Sequence, residues 1–286
     1  MQSIARDVYI EDQYPGVTLG AINLPLGLIQ IDAPPSPEDG RAWRAALLNL
    51  GGSSERLLVS LDAHPDRTLG TRAMDCTVLA HEKTAQAFRN QPSTFKAQGD
   101  ETGADWENIP GLGSVRWLPP EISFSERMEI YWAETPVLIE HHPGPGIGAL
   151  WVILPETKIV FVGDLVVRNQ PPFLVNADIP TWLENLKLLL SPAYRGWLIV
   201  SGRGGLVPVD VIRAQVDLLN QILKKLEKLA KKKAPPDATQ TLVDGLLSSF
   251  KIPTKMENIF VQRLRYGLFQ YYSRHYNVAN ITPEGE

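Results

Sequence analysis

The chain has 286 residues and a formal net charge of −4, and 44% of its side chains are apolar, which is enough for one large buried core. No apolar stretch approaches the roughly 18 uncharged residues of a membrane-spanning helix, and the mild acidity offers no basic face for nucleic acid. Composition therefore predicts a soluble globular protein with neither a membrane nor a nucleic acid as its partner.

The amino terminus and the cysteine content bear on the cellular compartment and on the possible metal ligands. The opening residues, "MQSIARDVYIEDQYPG", lack the basic and then apolar order of a signal peptide, so we expect a cytoplasmic protein. Cys76 is the single cysteine, which excludes an intramolecular disulfide and a thiolate cluster. Any metal site would have to use histidine and carboxylate ligands.

Up to about Gly205 the pattern indicates short apolar strands that alternate with helices. One helix is predicted to start at Ser36 and Pro37, and another runs from Pro180 and stops near Pro192. Strands mixed with helices favour a layered α/β fold. The predicted strands are "VTLGAINLP", "GLIQIDAP", "RLLVSLD", "CTVLAHE", "PVLIEHH", "ALWVILP", "KIVFVGDLVV" and "GWLIVSG".

After Pro208 the pattern becomes helical. Apolar residues recur at steps of three and four towards Lys233, and a second long helix is predicted over Lys255 to Tyr276. We therefore divide the chain into a domain at 1–207 and a helical extension at 208–286. The apolar faces of the extension predict either a lid over a pocket or a homodimer surface. The polar segment from Gln91 to Gly113 is predicted to be a surface excursion.

Five short motifs follow predicted strands in a fixed order. They are "LIQIDAP", "SLDAHPDRTLG", "PGPGIGA", "IVFVGD" and "VSGRGG". In this order, from Val17 to Gly205, they resemble the metallo-β-lactamase fold superfamily. The resemblance implies a four-layer αββα sandwich that carries the helical extension as an addition.

Members of that superfamily hold two metal ions, commonly zinc, and the resemblance assigns ligand positions in this chain. His64, Asp66 and Asp164 keep the residue types of the family, whereas an aspartate, Asp62, stands where the family has its first histidine. The other histidine positions are occupied by residues of different chemistry. They are Arg67, Pro145 and Arg203.

Guanidinium groups cannot take the place of those histidines as ligands. Arginine stays protonated and has no lone pair to give, so Arg67 and Arg203 would repel a cation and pair with the carboxylates that the metal leaves behind. Asp62, His64 and Asp164 remain as candidate ligands for one divalent ion such as zinc, manganese or iron. The cofactor is therefore either absent or a single divalent metal.

Two functions follow from these substitutions. In the first, the degenerate metal centre has lost dinuclear hydrolase activity, and the protein has a structural role or binds a small anionic ligand at Arg67 and Arg203, with His142 close to the vacated ligand position. In the second, one metal activates water for the hydrolysis of an ester, thioester, phosphoester or lactam, with Asp66 as the catalytic base. The missing ligands favour the first function.

Overall fold

The structure is a computed structural model that describes residues 1–51, 53–96 and 102–276. Its strands form two mixed sheets. The first sheet contains β1 (Gln2–Ala5), β2 (Val8–Glu11), β3 (Leu19–Leu24), β4 (Gly27–Ile31), β5 (Arg56–Val59), β6 (Thr77–His81) and β7 (Ile122–Phe124), in that order. The second sheet contains β8 (Arg127–Ile130), β9 (Val137–His141), β10 (Leu150–Leu154), β11 (Ile159–Phe161), β12 (Leu198–Val200) and β13 (Leu206–Val207), also in chain order.

Helices cover the outer face of each sheet. Those near the first sheet are α1 (Pro37–Leu48), α2 (Pro65–Thr68), α3 (Thr71–Met74) and α4 (Glu82–Arg89). Those near the second sheet are α5 (Ile179–Leu189), α6 (Val209–Lys231), α7 (Val243–Leu247) and α8 (Glu257–Tyr276). This arrangement confirms the predicted four-layer αββα sandwich with helices at its carboxyl end. Among the described residues, no helix combines the length and the apolarity needed to cross a membrane.

The strand pairing within each sheet determines at which sheet edge functional side chains can lie together. In the first sheet β4, β5, β6 and β7 are parallel, and in the second sheet β11 and β12 are parallel, so these strands end at common edges. Residues of β10 are buried on both faces of the second sheet, which is why "LWVIL" is apolar throughout rather than alternating. Val152 faces the first sheet, whereas Trp151 and Ile153 face the helices.

The caps predicted from sequence position the first long helix. Ser36 accepts hydrogen bonds from the backbone nitrogens of Glu38 and Asp39, and Pro37 occupies the first turn of α1. The strand predicted over "KIVFVGDLVV" is shorter than expected, because it ends at Phe161 and a 3₁₀ turn over Gly163–Leu165 follows. That turn places the buried side chain of Asp164 at the strand end.

The predicted surface excursion from Gln91 to Gly113 is partly a packed element. Residues 97–101 lie outside the described residues. On either side of them, Phe95 and Leu112 are buried in an apolar cluster with Phe88 and Trp117. The segment therefore combines a polar sequence with apolar side chains that are buried in this cluster.

Candidate functional site

Loops at the carboxyl ends of four strands converge on one buried point. Asp32 follows β4, Ser60–Gly70 follows β5, and Asp164 and Arg203 follow β11 and β12. The approach is close, because an added Cβ at Gly202 would lie 2.6 Å from Asp164 Oδ1. Only glycine permits that distance. The loops therefore bring polar side chains from both sheets into contact.

The short helix α2 turns the side chains of the first motif inward. His64 caps this helix: its Nδ1 accepts a hydrogen bond from the Asp66 backbone nitrogen at 3.2 Å, and its carbonyl accepts one from Thr68 Oγ1 at 2.9 Å. Pro65 supplies a suitable first helical position. As a result Asp66 and Arg67 are both fully buried, with 0% exposure.

Arg67 contacts three carboxylates at once. Its Nη1 donates to Asp32 Oδ2 at 2.8 Å, and its Nη2 donates to Asp164 Oδ1. Its Nε lies 2.9 Å from Asp62 Oδ1, at an ion-pair distance but without the alignment of a hydrogen bond. The guanidinium therefore occupies the centre of a group of carboxylates that includes two of the candidate metal ligands.

Arg203 forms the second centre of charge. Its Nε donates to Asp164 Oδ2 at 3.0 Å, and its Nη1 donates to Asp66 Oδ2 at 2.7 Å. Its Nη2 lies 3.2 Å from His64 Nδ1. The other oxygen of Asp66 accepts a hydrogen bond from the Trp106 backbone nitrogen at 2.8 Å. Both oxygens of the predicted base are therefore already bonded.

Burial and the arginines act on the carboxylates in opposite directions. Burial raises the pKa of Asp32 to about 7, against the opposing effect of Arg67, and burial also raises the pKa of Asp62. For Asp164 the balance is reversed: burial would raise its pKa, but Arg203 and Arg67 more than offset this and leave the pKa well below the usual range. The two arginines therefore hold Asp164 in its ionised form near neutral pH.

His64 is neutral in this setting. Burial, and after it the charge of Arg203, places the pKa of His64 well below its usual range. Its Nδ1 faces donors from Asp66 and Arg203, so the proton of the neutral ring is assigned to Nε2. His64 therefore adds no positive charge to the site.

A third arginine, from the helical extension, completes the buried network. Arg263 on α8 donates from Nη2 to Asp105 Oδ2 at 2.9 Å and from Nε to the Gly103 carbonyl at 2.8 Å. Asp105 also lies 3.4 Å from Arg203 Nη1. Burial, and then the charge of Arg203, lowers the pKa of Arg263 to about 10, which still leaves it protonated near neutral pH. The ring of Phe173 lies beside both of these guanidiniums.

Sequence reasoning missed Arg263, Asp105 and Phe173. Arg263 carried a detectable signal, because it lies on the same face of α8 as the buried Phe260, one residue before the buried Leu264. An arginine on an apolar helix face needs a buried partner, so its position indicated a buried acid elsewhere in the chain. Asp105 lies in a polar stretch, and no local pattern distinguishes it from a surface residue.

The residues present do not fit a dinuclear metal centre. Among the described residues, no group of three or more histidine, cysteine, aspartate or glutamate side chains is arranged to hold a metal ion. Arg67 and Arg203 donate to the oxygens of Asp164, which a cation would need for itself. Pro145, which the motif resemblance assigns to a histidine position of the family, offers no side-chain donor atom.

A cavity of about 270 Å³ opens above this network. Asp62, His64 and Asp164 contribute polar side chains to its lining, and Trp106 and Phe173 contribute aromatic ones. The structure thus brings the three candidate metal ligands to one cavity. Asp66, Arg67 and Arg203 lie beneath it and are not among the described residues that line it.

His142 lies apart from this lining. Its Nδ1 lies 2.8 Å from Asn185 Oδ1, its Nε2 lies 3.3 Å from Glu140 Oε2, and its ring stacks on Trp151 at 3.8 Å. These contacts attach it to α5 and to the outer face of the second sheet. The structure therefore does not bring His142 together with the buried arginines.

Comparison with known proteins agrees with the motif order. The family model described as "Metallo-beta-lactamase superfamily" matches residues 71–238. That range includes Pro145, Asp164 and Arg203 but begins just after the motif at Ser60–Gly70. A search of curated proteins gives no match.

Solved structures of several hydrolases share the fold. A metallo-beta-lactamase from Pontibacter korlensis is 19% identical with a TM-score of 0.59, and the match covers 77% of this chain and 97% of that one. The DIM-1 metallo-beta-lactamase exposed to ceftazidime is 16% identical with a TM-score of 0.58, and the match covers 77% of this chain and 95% of that one. The stereoselective inverting sec-alkylsulfatase Pisa1 from Pseudomonas sp. is 15% identical with a TM-score of 0.64; 99% of this chain is covered but only 52% of the sulfatase.

Proposed function

The chain belongs to the metallo-beta-lactamase superfamily, and we propose that it is a member in which buried arginine–aspartate pairs replace the metal ions. In this proposal the protein lacks dinuclear hydrolase activity, and the cavity serves to bind a small molecule. One observation carries it: Arg67 and Arg203, which the motif resemblance assigns to ligand positions of the family, both donate to Asp164. Two fixed cations then stabilise carboxylates that a metal would otherwise neutralise.

The metal content of the purified protein tests this proposal. We expect far less than one zinc, manganese or iron ion per chain after purification without chelator, because guanidiniums occupy the ligand positions. Generic lactamase, esterase and phosphodiesterase assays should show little turnover, since no metal lowers the pKa of a bound water. Two tightly bound metal ions in the wild-type chain would overturn the proposal.

Replacing the substituted positions by histidine provides a second test of the proposal. Histidines introduced together as Arg67→His, Pro145→His and Arg203→His should raise the metal content, because they restore nitrogen ligands at the family positions. Arg127→His on the surface is a matched control, because Arg127 is half-exposed and lies on β8, at the edge of the second sheet opposite to β12 and β13. If the triple variant folds and still takes up no more metal than the control, the pairing with aspartate is not what excludes the ions.

A hydrolase that uses one metal is the second candidate, favoured by the common cavity of Asp62, His64 and Asp164. In that case one equivalent of metal should bind and be lost in His64→Ala, together with hydrolytic activity. The roles of Asp66 as base and of these three residues as ligands stay predictions. Against this candidate, Asp164 and Asp66 already accept hydrogen bonds from Arg203.

An anion bound at Arg67, Arg203 and His142 also stays a prediction. The guanidiniums are buried, with 0% and 1% exposure, and each already contacts carboxylates. An anion would have to displace those partners.

A further inference from the structure

The cavity above the network has an acidic lining. Among its described lining residues, Asp62 and Asp164 are the side chains with a formal charge, and no lysine or arginine lines it. Counted over the buried network, five aspartates face three arginines. The aspartates are Asp32, Asp62, Asp66, Asp105 and Asp164, and the arginines are Arg67, Arg203 and Arg263. Even when Asp32, whose pKa burial raises to about 7, is counted as neutral, four carboxylates face three guanidiniums, so negative charge is in excess next to the cavity.

Asp62 is the carboxylate with unused bonding capacity. Asp164 accepts from two arginines, whereas Asp62 Oδ1 accepts from the His64 backbone nitrogen at 2.8 Å and lies near a single guanidinium. Asp62 Oδ2 accepts no hydrogen bond within the part of the chain that the structure describes, although the side chain is only 5% exposed. An added Cβ at Gly146, which also lines the cavity, would lie 3.5 Å from this oxygen.

The surroundings of Asp62 favour an organic cation. Trp106 and Val175 give the cavity apolar walls, which lower the local dielectric and strengthen a charge pair inside. The volume of about 270 Å³ lies near the lower end for small-molecule sites. A primary ammonium group carries several N–H donors on a compact charge, which suits an isolated carboxylate oxygen.

We propose that this cavity binds a small organic ammonium ion, with its N–H group donating to Asp62 Oδ2 and its apolar chain lying against the aromatic wall. This inference rests on the proposed function, because a bound metal ion would take the same carboxylate. It assigns a cationic class of ligand to the site, in place of the anion that the arginines suggest from sequence.

Three probes of equal length test the charge preference: n-butylammonium chloride, butan-1-ol and sodium butyrate. Titration calorimetry on the full chain should show butylammonium binding at least about tenfold more tightly than either of the others, a ratio that one well-placed charge pair can supply. Tighter binding of butyrate, or equal binding of all three probes, would overturn the proposal.

Two glycine substitutions test the location. Gly146→Ala adds a methyl group 3.5 Å from Asp62 Oδ2, at an ordinary contact distance and without a charge change, and should weaken butylammonium binding about tenfold or more. Gly113→Ala is the matched control, because an added Cβ there meets nothing within 4 Å. If Gly146→Ala and Gly113→Ala bind the probe like the wild type, the ammonium site is elsewhere and the proposal fails.

A charge-removing variant and a metal measurement complete the design. Asp62→Asn should lose the preference for butylammonium over butanol while its circular dichroism matches that of the wild type; a retained preference in that folded variant would overturn the proposal. Metal analysis of the same preparation separates the two hypotheses. Substoichiometric metal without ammonium binding rejects this inference alone, whereas two bound metal ions reject the proposed function as well.

Discussion

At the residue scale, a guanidinium and a metal ion stabilise buried carboxylates in different ways. A metal accepts lone pairs from histidine and aspartate, whereas arginine offers a planar fork of N–H donors and accepts nothing. Arg67 directs its fork at Asp32, Asp62 and Asp164, which come from three different loops. The arginine is therefore both a counter-charge and a connection between the two sheets.

Removing Arg67 should lower the free energy of unfolding more than removing a surface arginine does. Arg67→Ala leaves several buried carboxylates without their partner, and we expect a loss of about 3–5 kcal/mol in the free energy of unfolding. Arg127→Ala is the control: Arg127 is half-exposed and pairs with Glu129, so a loss of at most about 1 kcal/mol is expected. Urea denaturation measures both. Equal midpoints for the two variants would show that the buried network contributes no more than a surface pair.

His141 gives a prediction about pH. Burial, and then the neighbouring His81, lowers the pKa of His141 to about 4. In the unfolded chain the pKa is about 6.5, so between pH 6.5 and 4 the unfolded state takes up a proton that the folded state does not. Stability should therefore fall as the pH drops through this window.

The variant His141→Phe isolates that contribution. A phenyl ring retains the stacking on His81, whose ring centroid lies 3.7 Å away, but it cannot take up a proton. Urea unfolding at several pH values between 4 and 6.5 should give a shallower decline for the variant than for the wild type. Parallel declines in the two proteins would mean that His141 keeps its ordinary pKa.

At the element scale, the helical extension and the polar segment before β7 are in direct contact and share hydrogen bonds. Gly103 adopts φ +74°, and an added Cβ there would lie 2.4 Å from the Arg263 backbone nitrogen, so the segment lies directly against α8. Arg263 then binds the Gly103 carbonyl and Asp105. Next to them, the Trp106 backbone nitrogen donates to Asp66.

These contacts should limit local unfolding of the segment. Arg263→Ala removes the bonds to Gly103 and Asp105, so the Trp106 amide should exchange with deuterium faster, by about tenfold or more if one buried charged bond is lost. Arg265→Ala is a matched control two residues along α8, at an exposed position. Unchanged exchange in Arg263→Ala would show that other contacts hold the segment.

The sequence predicted secondary-structure elements better than it predicted which side chains bond to each other. The long strands and helices were found because periodicity and caps are local signals, as with Ser36 at the start of α1. The short strands β1, β2, β7, β8 and β13 were missed, because two to four residues carry little pattern. The bonds of Arg67 to Asp164 span 97 residues, so the motif order could indicate that the two meet but not which oxygen is bound.

At the scale of the whole molecule, the extension shares a core with the sandwich. Trp182 of α5 and Ile199 of β12 belong to the same apolar cluster as Ile212, Leu219 and Leu264 of the extension. A helix pair that covers the outer face of a sheet cannot be removed without exposing that face. The division at residue 207 stays a prediction about chain organisation, and the shared cluster implies that the two parts unfold together.

Truncation after Val207 tests that implication. The shortened chain would expose the apolar side chains of β10, β12 and α5 that now contact α6 and α8, so we expect self-association and a lower unfolding midpoint. Static light scattering and urea denaturation report the two effects, and truncation after Tyr276, which retains both helices, is the control. A homodimer held together by the extension would instead appear as a full-length dimer that becomes monomeric on truncation. A truncated chain that is monomeric and as stable as the control would show that the apolar faces of α6 and α8 contribute nothing to the core, because burial of that area stabilises a fold only where it removes the sheet from water.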